Sequence, residues 1–399
     1  MRILNRLVVV AAIGTFVDVL DLTLFANVRV ASLMELGVPK ADVFRIGIMM
    51  LNLQLVGMFA GGVVWGALAD WRGRKAVLFA SILVYSLATL ACAWVRSVPP
   101  YALARFICGF GLAGEFGAGI ALISEILPPE KRGYGTTLCA AVGLSGAIAG
   151  GAMALVLHWR TAYIVGGIGG LFLLVMRART FESGVFEKSR KSDLRRGMRA
   201  LFGKPSVAWR YVLSLAIALP LFFVLLAVVP FTPELAASLD PPLALGAAGA
   251  TTLVGSGVVI GDVITGLASQ RVRSRKKPIQ YCVGLIALAL LLFFLGLVPS
   301  QGLLAFVLFA AGLGAGYMVL FVTNAAEQFG TNARGSATVL APNAMRLCVI
   351  PMTLSLQGLA RTVGLRNGAL IVAAVCVVLA LLALRALPET FGRDLDFEE

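Results

Sequence analysis

From Leu7 to Val28 the chain is apolar at nearly every position. A run of that length is what a helix needs to cross a hydrocarbon core, at roughly 20 residues per span. Similar runs recur to the end of the sequence and predict twelve spans, at about 7–28, 45–69, 76–95, 101–127, 134–157, 160–176, 211–232, 244–268, 279–298, 302–327, 337–360 and 367–387. With 59% hydrophobic and 14% charged residues, and a mean hydropathy of +0.92, the chain lies far outside soluble usage. The expected fold is an all-α polytopic membrane protein of twelve transmembrane helices in two pseudo-symmetric six-helix bundles. The bundles are predicted over 1–176 and 211–399, joined by a basic linker at 177–210.

The net charge of +14 and the stretch KSRKSDLRRGMRALFGK (188–204) raise the question of nucleic acid. Counting by side answers it. With flanking residues assigned to the nearer side, 25 of the 34 Lys and Arg fall on the side of the termini and the even-numbered connections. Seven fall on the other side, and two, Arg105 and Arg346, lie within spans. This is the positive-inside pattern. It places both termini in the cytoplasm, in an inner or plasma membrane, and leaves lipid rather than nucleic acid as the macroscopic partner. The six cysteines all fall in predicted spans without a CxxC pair and read as small core residues. The first span carries charges and lacks a small-residue cleavage site, so it reads as a retained helix.

The halves are related. EILPPEKRG (125–133) and EQFGTNARG (327–335) stand 202 residues apart, an offset that also aligns Gly114 with Gly316 and Arg132 with Arg334. GALADWRGRK (66–75) is echoed by GLASQRVRSRK (266–276). Such duplication is how many secondary transporters build a site between two halves, near the bilayer midplane. In the first copy Gly66 permits close helix approach and Gly73 a tight turn. Asp70 can bond N–H groups at a neighbouring helix N-terminus, while Arg74 and Lys75 anchor the turn on the cytoplasmic side. Together they read as a cytoplasmic gate rather than an ordinary basic loop.

Over essentially its whole length the sequence resembles the major facilitator superfamily. RFICGFGLAGEFGAGIALISEILPPEKRG (105–133), ESGVFEK (182–188) and PETFGRDLDFEE (388–399) are similar to its metabolite:proton symporter and sugar porter branches. The resemblance implies that Asp70 and Arg74 join Glu125 and Arg132 in a cytoplasmic charge network, mirrored by Glu327 and Arg334. Gln270 and Arg273 depart from the second copy of the pattern, which implies a weaker or differently wired gate there.

Asp18 and Asp21 lie three residues apart inside the first span, so they share a helix face. Exposure to lipid would cost a few kcal/mol each, so both should face the interior. If the helix exits near residue 28, Asp21 lies about 10 Å below its outer end. Arg105 lies about 6 Å below the outer start of the fourth helix, close enough to pair. The resemblance agrees, since sugar porters and their relatives couple protons through an aspartate in the first helix and an arginine in the fourth. A static ion pair is the alternative. Glu115, following Gly114, is a second proton site, a substrate contact or a satisfied core residue. GFGLAG (109–114) fits GxGxxG by letter but follows no strand, so it reads as close helix packing.

In the eleventh span Arg346 and Asn343 lie near mid-membrane between Pro342 and Pro351. The guanidinium is suited to a substrate carboxylate, or is locked by Asp262 of the eighth span or another carboxylate. Asp262, Asn52, Gln54, Tyr317 and Asn324 complete the candidate substrate set. His158 beside Trp159 reads as interfacial. The sequence therefore points to a proton-coupled secondary transporter of a small polar metabolite, an organic anion by expectation, working by alternating access and sufficient as a monomer. The alternatives are a proton-driven exporter, whose fifth-helix motif is broken here at Ala147 in GAIAGG (146–151), and a non-transporting receptor. No cofactor or metal is expected, and no nucleophile–base pair or phosphate loop suggests an enzyme.

Overall fold

The computed structural model describes residues 6–72, 74–114, 129–181 and 201–392. Every predicted span contains helix. In hydrocarbon the backbone must satisfy its own hydrogen bonds, which makes a long apolar run and a helix the same prediction. The first six spans are α1 Arg6–Glu35, α2 Lys40–Arg72, α3 Arg74–Cys92, α4 Val98–Leu112, α5 Pro129–Val156 and α6 Trp159–Phe181. The next are α7 Pro205–Ala216, α8 Leu219–Phe223 with a π-helical turn at Val224–Val228, and the short α9 Thr232–Ala237. α10 Ala247–Val272, α11 Lys276–Phe294, α12 Gln301–Ala315, α13 Met318–Glu327, α14 Thr331–Thr362 and α15 Leu365–Ala386 complete the order. Among the described residues seven helices are long and apolar enough to cross a membrane, or eight if α7 and α8 form one bent span.

Helix ends differ from the span ends read from hydropathy. α1 runs on to Glu35, α6 reaches Phe181 and α7 begins at Pro205, because a helix can continue past its apolar stretch into the polar interface. The seventh span bends by 46° between α7 and α8, where Pro220 removes an N–H and clashes with the preceding turn. Hydroxyls within helices are absorbed locally. Thr15, Thr23, Thr252 and Thr323 each donate to the carbonyl four residues earlier, which is how a span carries them without water.

The chain divides into two compact units, the first Met1–Arg190 with Ala247–Thr252, the second Lys191–Gly246 with Leu253–Glu399. In the first, α1 packs on α5 and α6, α4 lies against α2 and α3, and α3 meets α6. At one end Glu35 ties α1 to the start of α6, accepting from Trp159 Nε1 at 2.6 Å and Arg160 Nε at 3.1 Å, with His158 Nε2 at 2.9 Å. Arg160 also reaches the carbonyls of Ala93 and Val95. In the second unit α11 packs on α12 and α15, and α14 on α13 and α15.

The internal repeat is visible in the packing. Gly57 and Gly61 of α2 bring its backbone against the Phe106 and Phe110 carbonyls of α4, and Gly109 returns the contact to Gln54. In the second unit Gly257 and Gly261 of α10 meet Phe309 and Leu313 of α12, and Gly312 meets Val254. The matched glycines stand 200 residues apart on α2 and α10, and 203 apart on α4 and α12. A Cβ at any of them would overlap backbone. Both copies then break at corresponding places: α4 ends in a turn at Ala113 and Gly114, α12 at Gly316 and Tyr317. The tenth span, expected to be one helix, is therefore two, and the Gly114–Gly316 offset of 202 shows that one residue slips at the break.

Candidate functional site

α1 presents both aspartates to the interior of the first unit, Asp18 at 6% and Asp21 at 0% exposure. Asp21 Oδ1 accepts a 2.7 Å bond from Thr89 Oγ1 of α3, and Oδ2 accepts one from Cys108 Sγ of α4 at 2.9 Å. Arg105, one turn before Cys108 and also fully buried, points Nη1 at the same sulfur from 3.7 Å. The direct Asp21–Arg105 contact expected from helix depth is thus replaced by a thiol standing between them. The depth count placed the outer end of α1 at residue 28, whereas the helix continues to Glu35, so its register against α4 differs from the one assumed. Cys108, read as a small core residue, is the group that sequence reasoning missed, with Thr89.

The guanidinium is otherwise held by rings. Its Cζ lies 5.5 Å from the Phe25 ring and 5.8 Å from that of Tyr163, the geometry of a cation–π contact. Nε and Nη2 have no hydrogen-bond partner among the described residues. Tyr163 continues the chain through a 2.6 Å contact with Tyr101, whose hydroxyl lies 3.1 Å from Ser32 Oγ. Carboxylate, thiol, guanidinium and phenols from α1, α3, α4 and α6 therefore form one polar thread in an apolar bundle.

The other predicted residues are more scattered. Asn52 and Gln54 are buried on α2, and neither amide atom of Gln54 has a partner among the described residues. Arg346 is 3% exposed on α14 and donates from Nη1 to Asn343 Oδ1 at 3.1 Å. It does not pair with Asp262, which accepts instead from Val319 N–H at 3.3 Å, because the break after α12 leaves that donor without an intrahelical acceptor. Tyr317 is fully buried and spends its hydroxyl on the Ile217 carbonyl at 2.9 Å. Asn324 faces the polar cluster described next.

Of the predicted gate, Gly66 lies on α2. Gly73, Glu115 and Glu125 fall outside the described residues, as do the side chains of Asp70, Arg74, Lys75, Arg132 and Arg334. In the second unit Glu327 is held by Arg275, with Nη2 to Oε1 at 2.8 Å and Nε to Oε2 at 3.1 Å, a two-pronged pair. Thr390 Oγ1 donates to the same carboxylate at 2.8 Å and to Asn324 Oδ1 at 3.2 Å. Glu389 accepts from Ser274 Oγ and from the backbone N–H of Arg275 at 2.8 Å, while Lys276 Nζ takes the Leu387 carbonyl at 2.6 Å. Gln328 reaches Pro388 O, and Arg275 stacks over Phe391 at 5.0 Å. The terminal PETFG segment is bolted across the ends of α10, α11 and α13.

Burial raises the pKa of Glu389, but the donors from Ser274, Arg275, Phe391 and Lys276 outweigh it and hold the carboxyl below its ordinary value. A depressed carboxyl stabilises the fold above its unfolded pKa, and that contribution disappears as pH falls through the folded one. Glu389→Gln is therefore expected to lower the melting temperature at neutral pH. The difference from wild type should vanish only below the usual carboxylate range, which a pH series of melting curves will show.

The sequence model of the Major Facilitator Superfamily matches residues 11–350. The chain belongs to the Major Facilitator Superfamily. It is thus a multi-pass membrane protein, and its helices are those of the superfamily's twelve-helix fold. A crystal structure of a D-xylose-proton symporter shares that fold with a TM-score of 0.74, at 17% identity over 98% of this chain and 99% of the other. Among curated relatives, a gentisate transporter of Corynebacterium glutamicum is 29% identical over 80% of this chain and 73% of its own length. A probable 4-methylmuconolactone transporter of Cupriavidus pinatubonensis is 25% identical over 95% of this chain and 89% of its own. A niacin transporter of Acinetobacter baylyi is 30% identical over 44% of this chain, a match spanning 40% of that protein. The first two relatives in sequence similarity are matched over only 40% and 53% of their lengths.

Proposed function

We propose that this superfamily member is a proton symporter that brings a small cyclic or aromatic carboxylate across the inner membrane by alternating access, with both termini in the cytoplasm. One observation carries the proposal: a fully buried aspartate, Asp21, gripped by two donors and set one thiol away from a buried guanidinium. An ionisable cluster this deep is costly unless it works. Thr89 and Cys108 both serve the ionised carboxylate, so a proton arriving on either oxygen displaces one of them. Protonation is thereby tied to a rearrangement on α3 or α4 and, through Cys108, to Arg105. The substrate class is supported by the names of the relatives, since nicotinate and gentisate carry a carboxylate on an aromatic ring and 4-methylmuconolactone carries one on a side chain of its lactone ring. Arg346, with Asn343 beside it, is the proposed carboxylate anchor.

Proteoliposomes loaded with a pH-sensitive dye test the reading. Nicotinate or gentisate outside is expected to acidify the lumen, while D-xylose and organic cations leave it unchanged. Silence with every carboxylate in folded protein would overturn it. Arg346→Gln removes a charge-assisted bond worth about 1.5–3 kcal/mol. It is expected to raise KM for the carboxylate by about tenfold or more, at about 1.4 kcal/mol per decade, with kcat little changed; an unchanged KM would remove Arg346 from the site.

A further inference from the structure

Asp262 sits on α10 next to Gly261, where the α10 backbone touches Gly316 at the end of α12. α13 starts afresh at Met318, so its first N–H groups have no intrahelical acceptor, and water is scarce at this depth. Asp262 Oδ1 serves one of them, Val319 N–H, at 3.3 Å. Oδ2 is shielded from solvent and has no hydrogen-bond partner among the described residues. Among the described residues no ion pair to it is formed: Arg275 pairs with Glu327, and Arg346 donates to Asn343. The titratable group facing it is the Cys282 thiol of α11, which lies 3.3 Å from Thr265 Oγ1 on α10. Tyr317 at the break turns its hydroxyl away to Ile217 O.

The first unit has no counterpart: at the matching offset of 200, position 62 is a glycine. The second unit thus holds a carboxylate whose hydrogen-bond donor among the described residues is a helix N-terminus, with its second oxygen shielded and open to a proton.

We propose that Asp262 is a proton-binding site of the second unit, and that loading it frees the N-terminus of α13. The ionised carboxylate is the acceptor a helix N-terminus favours; the protonated form is a poorer one. α13 is ten residues long, about 15 Å at 1.5 Å per residue, and its far end carries Asn324 and Glu327 in the polar cluster. A proton at Asp262 therefore acts on that cluster through a rigid rod. The assignment goes beyond the symport reading, and it is tested without substrate.

The experiment is pH-difference infrared spectroscopy with hydrogen–deuterium exchange on purified protein in nanodiscs. It compares wild type with Asp262→Asn, which keeps an oxygen for Val319 N–H. Wild type is expected to gain a protonated-carboxyl stretch on acidification that Asp262→Asn lacks. In step with it, the Val319 and Leu320 amides should exchange roughly fivefold faster after correction for intrinsic rate, the effect of losing one N-cap acceptor. Identical spectra from the two folded proteins, or amide protection that does not follow the band, would overturn the proposal. If Asp262→Asn fails to fold, Asp262→Glu retains the carboxyl and must shift the band; an unshifted band overturns the proposal equally. Failure of substrate-driven acidification in proteoliposomes would leave these readouts untouched.

Discussion

Asp21→Asn is expected to abolish proton-driven accumulation while leaving exchange of substrate across the membrane intact. The amide keeps the shape of the side chain and one acceptor for Thr89 or Cys108, so the bundle should fold. It cannot take a proton. With one proton moved per substrate, an imposed gradient of one pH unit is worth about 1.4 kcal/mol, or about a tenfold internal excess. Wild-type vesicles should reach that excess, and those carrying the variant should stop at equal concentrations. Counterflow of labelled substrate, which needs no net proton movement, should continue in both. Full accumulation by the variant would move the proton to Asp18, Glu115 or Asp262 and leave the Asp21 cluster a structural knot.

The second large effect is on folding. Gly61→Leu and Gly261→Leu place a side chain where the carbonyls of Phe110 and Leu313 already lie. Because the obstacle is backbone, no rotamer change relieves it. Overpacking a core typically costs about 1–3 kcal/mol, and here two helices must separate along their contact. Both variants should lose most of the monodisperse protein recovered after extraction, with a lower melting temperature in what remains. Gly62→Leu and Gly266→Leu, one and five residues along the same helices, have open space around them and should behave as wild type. Equal damage at all four positions would mean that helix propensity rather than close approach is being measured.

How far the sequence reveals the molecule depends on the range of the interaction. Helices are local, and apolar run length places each span. The repeat was legible because glycines and charged turns recur at fixed offsets, and the packing of Gly57 and Gly257 repeats accordingly. Helix breaks were not legible. The interruption after Ala315 lies within an apolar run, and only the close approach of Gly316 to Gly261 marks it. The role of Asp262 was hidden for that reason, since the N–H it serves exists only because of the break. Asp21 and Arg105 were legible as ionisable residues in spans that should share a bundle. What joins them was not, because a cysteine in an apolar span gives no sign that its thiol faces a carboxylate. Arg275 and Glu389 were hidden by distance, since Arg275 N–H and its acceptor are 114 positions apart in the chain.

That distance also orders the making of the protein. A chain emerges from the ribosome N-terminus first, so Ser274, Arg275 and Lys276 are made long before Glu389 and Thr390 exist. Until α15 has been made, Glu327 has its pair with Arg275 but lacks Thr390, and the ends of α10 and α11 wait without the segment that fastens them. Closing this cluster is therefore the last tertiary step among these helices: a product cut short before Pro388 carries every span and still leaves the ends of α10, α11 and α13 unfastened.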